Sequence, residues 1–246
     1  MCSLSVALVC GRPVKEYGDL LRDLGYLEDG GQYALQMTGG SVLRAYQRDH
    51  RLAKTGKLDL VTERTLTSPR CGVTPAVKRR LRLRRYVTMG SRWEKIYVTY
   101  SKDQNSANYT KEFVDEVRRA FDAWNAVSNL KAYQARPGEV ADIRIRWGSG
   151  WHNCSSLQSF HSGSPVLAHA FEPQHGGEIH VNDFVDFRTY QLSTCMAHEV
   201  GHALGLDHSA DVNSVMYFQY RTKLPVDRIL GEEDRKGIEA LYGRPV

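Results

Sequence analysis

Apolar residues recur every three or four positions in some stretches of the chain and every second position in others, and these two periods lay out its elements. Between residues 14 and 66 the spacing is helical, with Leu20, Leu21, Leu24 and Leu27, then Val42, Leu43 and Tyr46. Gly39-Gly40 and Lys54-Thr55-Gly56-Lys57 are expected to interrupt it. Residues 96–100 read as a strand, and residues 142–147 alternate apolar and polar as a half-buried strand does. Residues 167–171 and 179–181 are shorter strand candidates. Residues 111–127 form an amphipathic helix with Phe113, Val117, Ala120, Phe121 and Trp124 on one face. Two more helices are expected over 191–204 and 232–242. Pro69, Gly72 and Pro75 mark a linker. The pattern therefore predicts a small helical domain over 12–66, an exposed linker over 67–85, and a mixed α/β or α+β domain over 86–246.

Composition adds limits. The 246 residues are 41% hydrophobic and 25% charged, as in an ordinary globular protein. No stretch approaches the ~18 uninterrupted apolar residues of a membrane span, and there is no repeat or low-complexity tract. The net charge of +5 hints at an acidic partner. Counted by segment, residues 1–85 are net +8 and residues 86–246 net −3. Six of the eight residues 78–85 are basic, so the positive charge is a local run, and a nucleic-acid partner would rest on that run alone. Residues 1–11 are apolar but short and lack a basic start; they read either as the remnant of a signal peptide or as a frayed end. Five cysteines (Cys2, Cys10, Cys71, Cys154, Cys195) leave one over from any set of disulfides.

Histidine changes the picture most. Eight of the nine fall between His152 and His208. Within that window stands His198-Glu-Val-Gly-His202-Ala-Leu-Gly205-Leu-Asp-His208. On a helix, residues four apart share a face, so His198 and His202 can aim at one ion. Glu199 lies about 100° around the helix and can face a water instead. Gly205 can end the helix in a left-handed conformation, after which His208 can supply a third nitrogen. Three nitrogen ligands leave a fourth position open, the pattern of a catalytic zinc.

This motif, followed by Ser214-Val-Met216-Tyr217, resembles the metzincin signature with its Met-turn, Met216 lying beneath the zinc. Within the metzincins the chain resembles the matrixins, the matrix metalloproteinases, over nearly its whole length. Pro69-Arg-Cys71-Gly72-Val73 resembles their cysteine switch, in which a propeptide thiolate takes the fourth zinc position. Leu20-Leu-Arg-Asp-Leu-Gly25-Tyr-Leu27 and Thr55-Gly-Lys-Leu-Asp59 resemble the helical propeptide, and residues 231–243 the last helix of the catalytic domain. The resemblance implies a catalytic domain with a twisted, mixed five-stranded sheet and three helices, in a minimal form without a hemopexin-like domain. It implies a secreted zinc endopeptidase, made as a zymogen and acting on extracellular-matrix or other extracellular proteins such as collagen. Glu199 would then be the general base, with tissue inhibitors of metalloproteinases as further partners of a monomer. Thr74 and Pro75 depart from the family's Pro followed by an acidic residue, so Arg70 loses its expected partner and latency is expected to be looser.

Arg82-Leu-Arg-Arg85 fits the R-x-x-R pattern of furin-like convertases, whose acidic clefts match it. A cut between Arg85 and Tyr86 would free residues 86–246, and the resemblance pairs that new N-terminus with Glu233 or Asp234. The family's structural zinc maps to His152, Cys154, His169 and His180, with Cys in place of Asp, a softer but acceptable ligand; a free Cys154, or one paired with Cys195, is the alternative. Asp142, Gly176, Gly177 and Glu178 could keep part of a calcium site, whereas the second, at His161, Asn182 and Val185, lacks its carboxylates. The strand around Leu167 and Ala168 would bind substrate antiparallel along its edge, and Tyr220 matches a specificity-pocket wall, near Phe218 in place of a usual Pro. Asn108 and Asn153 open glycosylation sequons, of which the first is favoured. Three other readings compete: a matrix- or peptide-binding module without catalysis, a wall-binding module joined to a hydrolase, and a nucleic-acid binder.

Overall fold

The computed structural model describes residues 8–9, 12–27, 31–74, 76, 91–152, 154, 159–187, 192–220 and 229–245. Pro75, the basic run with Arg85 and Tyr86, and the sequon residue Asn153 lie outside the described residues. The contacts divide the chain into two units, one drawn from 1–68, 73–83 and 153–159, the other from 69–72, 84–152 and 160–246.

In the first unit, β1 (Leu8–Val9) and β2 (Arg12–Pro13) pair antiparallel, and three helices follow: α1 (Val14–Asp23), α2 (Gly31–Asp49) and α3 (Leu60–Thr67). The leucines at helical spacing are the ones buried: Leu20, Leu21, Leu24 and Leu27, with Leu43 and Tyr46. Asp59 caps α3, accepting from Thr62 N–H at 2.8 Å. The buried Gln47 amide ties α2 to the loop before α3, donating to Thr55, Thr62 and the Lys57 carbonyl and accepting from Gly56 N–H. Contrary to expectation, α2 runs unbroken through Gly39-Gly40. The close approach is at Gly56, where a Cβ would lie 3.0 Å from the Gly40 carbonyl oxygen and 2.4 Å from the Arg44 guanidinium.

The second unit is built on a six-stranded sheet of order β3-β7-β8-β6-β4-β5. Its strands are β3 (Arg70–Cys71), β4 (Tyr97–Lys102), β5 (Lys131–Gln134), β6 (Ile143–Gly148), β7 (Val166–Ala170) and β8 (Ile179–Asn182). Only the β7–β8 pairing is antiparallel. The helices are α4 (Lys111–Val127), α5 (Leu192–Ala203) and α6 (Glu232–Tyr242). Five mixed strands with three helices match the expected catalytic architecture, and β3 is an addition to it. On α4 the buried apolar residues are the five that the spacing singled out. They pack with Ile143, Ile145, Ile179 and Val181 of the sheet and with Met196, Ala197 and Val200 of α5. That core holds α5 rigidly: Trp124 of α4 donates its indole N–H to the Ala197 carbonyl at 2.9 Å. Every residue of α5 is buried, so a helix that carries a charged residue and two imidazoles lies inside the unit, where such groups persist only when engaged.

Candidate active site

Gly205 ends the helical segment at φ +102°, a conformation that favours glycine, and a Cβ there would come within 2.3 Å of the Ser91 carbonyl oxygen. The chain then reverses and returns His208 to the face of α5 that carries His198 and His202. The three imidazole nitrogens and the Cys71 sulfur lie within 4.8 Å of one another. His198 Nδ1 is 2.7 Å from the Val215 carbonyl and His202 Nδ1 is 2.7 Å from the Leu206 carbonyl. A carbonyl can only accept, so each Nδ1 carries the proton and each Nε2 presents a lone pair. His198 Nε2 and His208 Nε2 are 3.2 Å apart. Two nitrogens each 2.0–2.1 Å from a tetrahedral zinc stand about 3.3–3.4 Å apart, so this spacing fits zinc.

The segment around Met216 supports the same ring. Val215 supplies the carbonyl that orients His198. Met216 packs on α5 at Gly201, where a Cβ would lie 2.3 Å from its sulfur and 3.0 Å from Trp124 Cζ2. Gly201→Ala is therefore expected to destabilise the protein by about 1–3 kcal/mol despite the better helix propensity of alanine, measured by denaturant unfolding at saturating zinc; unchanged stability would show that Met216 moves aside freely. Asp234 holds the turn from below. It is buried and accepts from Val215 N–H at 2.8 Å, Gly231 N–H at 2.7 Å and the Ser214 hydroxyl. Sequence reading gave Asp234 or Glu233 to a freed N-terminus. Asp234 thus serves the Met-turn, while Glu233 is exposed and accepts from the Ser209 hydroxyl at 2.5 Å.

Glu199 is fully buried and accepts from the Tyr220 hydroxyl through Oε1, while Oε2 has no hydrogen-bond partner among the described residues. Burial pushes its pKa up to about 7, against the opposing hydrogen bonds from Tyr220 and Cys71. Tyr220 was expected only as a pocket wall; its contact with Glu199, 21 residues away, left no local sequence signal.

Cys71 arrives on Pro69–Gly72, which belongs to the sheet unit. Arg70 N–H donates to the Pro165 carbonyl and Gly72 N–H to the Ala168 carbonyl, both at 2.9 Å. On the other side Cys71 N–H reaches the Phe218 carbonyl at 3.2 Å, and Tyr220 N–H the Pro69 carbonyl at 3.0 Å. The edge at Leu167 and Ala168, expected to receive substrate, is thus taken by β3, and β3 lies parallel to β7, opposite to the direction expected for substrate. The guanidinium of buried Arg70 sits over the Phe218 ring, 5.0 Å from its centroid. Arg70, which lacks the family's acidic partner, thus rests on Phe218, which stands in place of a usual Pro. Thr74, the other departure, is buried and donates to the Leu24 carbonyl at 2.7 Å within the helical unit.

The three histidines of the second predicted site gather. His169 Nε2 and His180 Nδ1 are 3.1 Å apart, and the His152 ring centroid lies 5.2 and 5.0 Å from theirs. His180 Nε2 is 2.9 Å from Glu178 Oε1, a carboxylate that fixes its orientation. His152 Nε2 is buried with no hydrogen-bond partner among the described residues. Burial, then mutual repulsion with His180 and His152, holds the pKa of His169 well below its ordinary value and keeps it neutral. Cys154 is buried, and Cys71, Cys154 and Cys195 carry no disulfide, so the alternative pairing of Cys154 with Cys195 is absent.

The calcium candidates make several contacts. Asp142 accepts from Lys95 at 2.6 Å and from Thr99 N–H at 2.9 Å. Glu178 pairs with Arg144 and Arg146, both at 2.9 Å, and Gly176 and Gly177 take positive φ in the turn before it. His161 and His175 are exposed. The favoured sequon residue Asn108 is half-buried, its amide nitrogen donating twice to Asp183 at 3.0 Å, which disfavours a glycan there. No helix among the described residues is long and apolar enough to cross a membrane.

Comparison with known proteins agrees with this geometry. The matrixin family pattern matches residues 92–243. Interstitial collagenase of Oryctolagus cuniculus is 35% identical over 209 residues, covering 82% of this chain and 42% of the relative. Matrix metalloproteinase-20 of Homo sapiens is 36% identical over 199 residues (78% and 40% covered), and matrix metalloproteinase-15 of Homo sapiens 33% identical over 257 residues (92% and 37% covered). The chain thus spans about four-tenths of the length of these curated relatives. With a matched pattern over most of the sheet unit and a histidine ring of zinc-binding geometry, this chain belongs to the matrixin family of zinc metallopeptidases.

Proposed function

We propose that the chain is a zinc-dependent endopeptidase, kept latent by Cys71 and acting on extracellular-matrix or other extracellular proteins. The observation that carries this reading is the ring of His198, His202 and His208 with Glu199 beside it and Cys71 as a fourth donor. Zinc held by the three imidazoles supplies a Lewis acid for the scissile carbonyl and an acidified water. The protein's own groups do the rest. The Val215 and Leu206 carbonyls keep two imidazoles in the metal-binding tautomer. Glu199, with a pKa near neutrality, takes a proton from the attacking water and returns it to the leaving amine. The β7 edge at Leu167 and Ala168 would hold the peptide backbone once Pro69–Gly72 has left, and the Tyr220 ring would wall the adjoining pocket.

In this reading residues 12–66 are the propeptide, 67–85 the switch and processing segment, and 86–246 the catalytic domain. A furin-like convertase cuts after Arg85, the product is secreted, and tissue inhibitors of metalloproteinases bind it. His152, His169 and His180 hold a second, structural zinc, with Cys154, two residues along the chain from His152, as the fourth donor. Asp142, Gly176, Gly177 and Glu178 would hold a calcium ion. The test is cleavage of a peptide library by the activated chain. Turnover that a chelator abolishes and zinc restores is expected; a zinc-loaded chain that binds peptides without cutting them would establish the non-catalytic module instead.

A further inference from the structure

We propose that Tyr220 is a positioning residue for Glu199: its hydroxyl holds one carboxylate oxygen so that the other is presented to the attacking water. The inference rests on the reading of Glu199 as general base. A carboxylate on a flexible side chain must be held to within about 10–20° to serve as a base. Among the described residues the hydrogen-bonding partners of this buried carboxylate are the Tyr220 hydroxyl and Cys71. Cys71 leaves on activation, so Tyr220 is the partner that remains.

Tyr220 is itself well placed for this. Its ring packs edge-to-face on His198, with centroids 5.3 Å apart and planes at 88°. Its hydroxyl donates to Glu199 Oε1. The same hydroxyl meets Cys195, which precedes Glu199 by one helical turn on α5 and is fully buried. The phenol is therefore clamped between the thiol and the carboxylate of one helix face and against the ring of a metal ligand. A pocket wall needs only the ring; this arrangement uses the hydroxyl. Glu199 Oε2, buried and without a hydrogen-bond partner among the described residues, is the oxygen left for water.

The test compares full-length Cys71→Ser with its Tyr220→Phe and Glu199→Gln derivatives, all zinc-loaded. The assay uses peptides that differ only in the side chain just after the scissile bond. Tyr220→Phe is expected to lower kcat by about 10- to 100-fold for every peptide, with zinc content unchanged and KM within about twofold. A parental kcat with altered KM or side-chain preference would make Tyr220 a wall alone and overturn the inference, while an inactive Glu199→Gln would leave the general-base reading standing. A parental rate for Glu199→Gln would overturn both. Should Tyr220→Phe not fold, Tyr220→His, which retains a donor, is compared with Tyr220→Leu. A kcat at least several-fold higher for the histidine variant supports the assignment, and equal kcat values overturn it.

Discussion

Glu199→Ala is expected to lower kcat/KM for peptide hydrolysis by about 10²- to 10⁴-fold while the chain keeps its zinc. The two halves of that result have separate structural causes. Zinc retention follows because Glu199 contributes no atom to the ring of donors around His198, His202 and His208, and the hydrogen bonds that fix His198 and His202 come from the carbonyls of Val215 and Leu206. Loss of turnover follows because the carboxylate is the acid–base group the site provides beside that ring. Burial raises its pKa above the ordinary carboxylate value, toward the range that serves both proton transfers of peptide hydrolysis. An exposed carboxylate near its ordinary pKa would be a much weaker base. Metal analysis and steady-state kinetics on the activated chain measure both halves. Near-normal turnover with zinc bound would remove Glu199 from the mechanism, and loss of zinc would give it a structural role that its contacts do not show.

How much of this was legible beforehand depended on the distance over which each feature is encoded. The α4 face, the extent of α6 and the pair His198 and His202 are local patterns with a helical period, and each stands where the spacing put it. Strand β5 was missed because Lys131-Ala-Tyr-Gln134 buries only Ala132; its pairing with β4, not its own hydrophobicity, makes it a strand. Strand β3 is two residues long and is defined by its neighbours, β7 on one side and residues 218–220 on the other. Propensity alone favours a break at Gly39-Gly40, yet α2 continues through both. Within the site, the Asp234 contacts with residues 214–216 and the Tyr220 contact with Glu199 join positions about 20 residues apart with no shared period. Family resemblance named Asp234 and Tyr220 but gave them other tasks.

Cys71→Ser is expected to raise the activity of the freshly purified full-length chain by about 10- to 100-fold, equivalent to a loss of about 1.4–2.7 kcal/mol of inhibitory binding. The sulfur is the one side-chain donor that Pro69–Gly72 brings to the histidine ring, and a hydroxyl is a far poorer zinc ligand than a thiolate. The gain is limited because four backbone hydrogen bonds still hold the segment between β7 and residues 218–220, and because the Arg70 guanidinium rests on the Phe218 ring. Those contacts compete with substrate for the β7 edge whatever residue stands at 71. Adding Gly72→Ala separates the two parts of the lock. A Cβ at Gly72 would lie 2.9 Å from Val166 Cγ1 and 3.3 Å from His169 Cβ, so the segment must lift from β7, and a further rise in activity is expected. Hydrolysis rates of the wild type, Cys71→Ser and the double variant, each checked by mass spectrometry for an uncut chain, measure this. Wild-type latency in Cys71→Ser would assign inhibition to strand pairing alone. Full activity in the single variant would show that the backbone contacts contribute nothing once the thiol is gone.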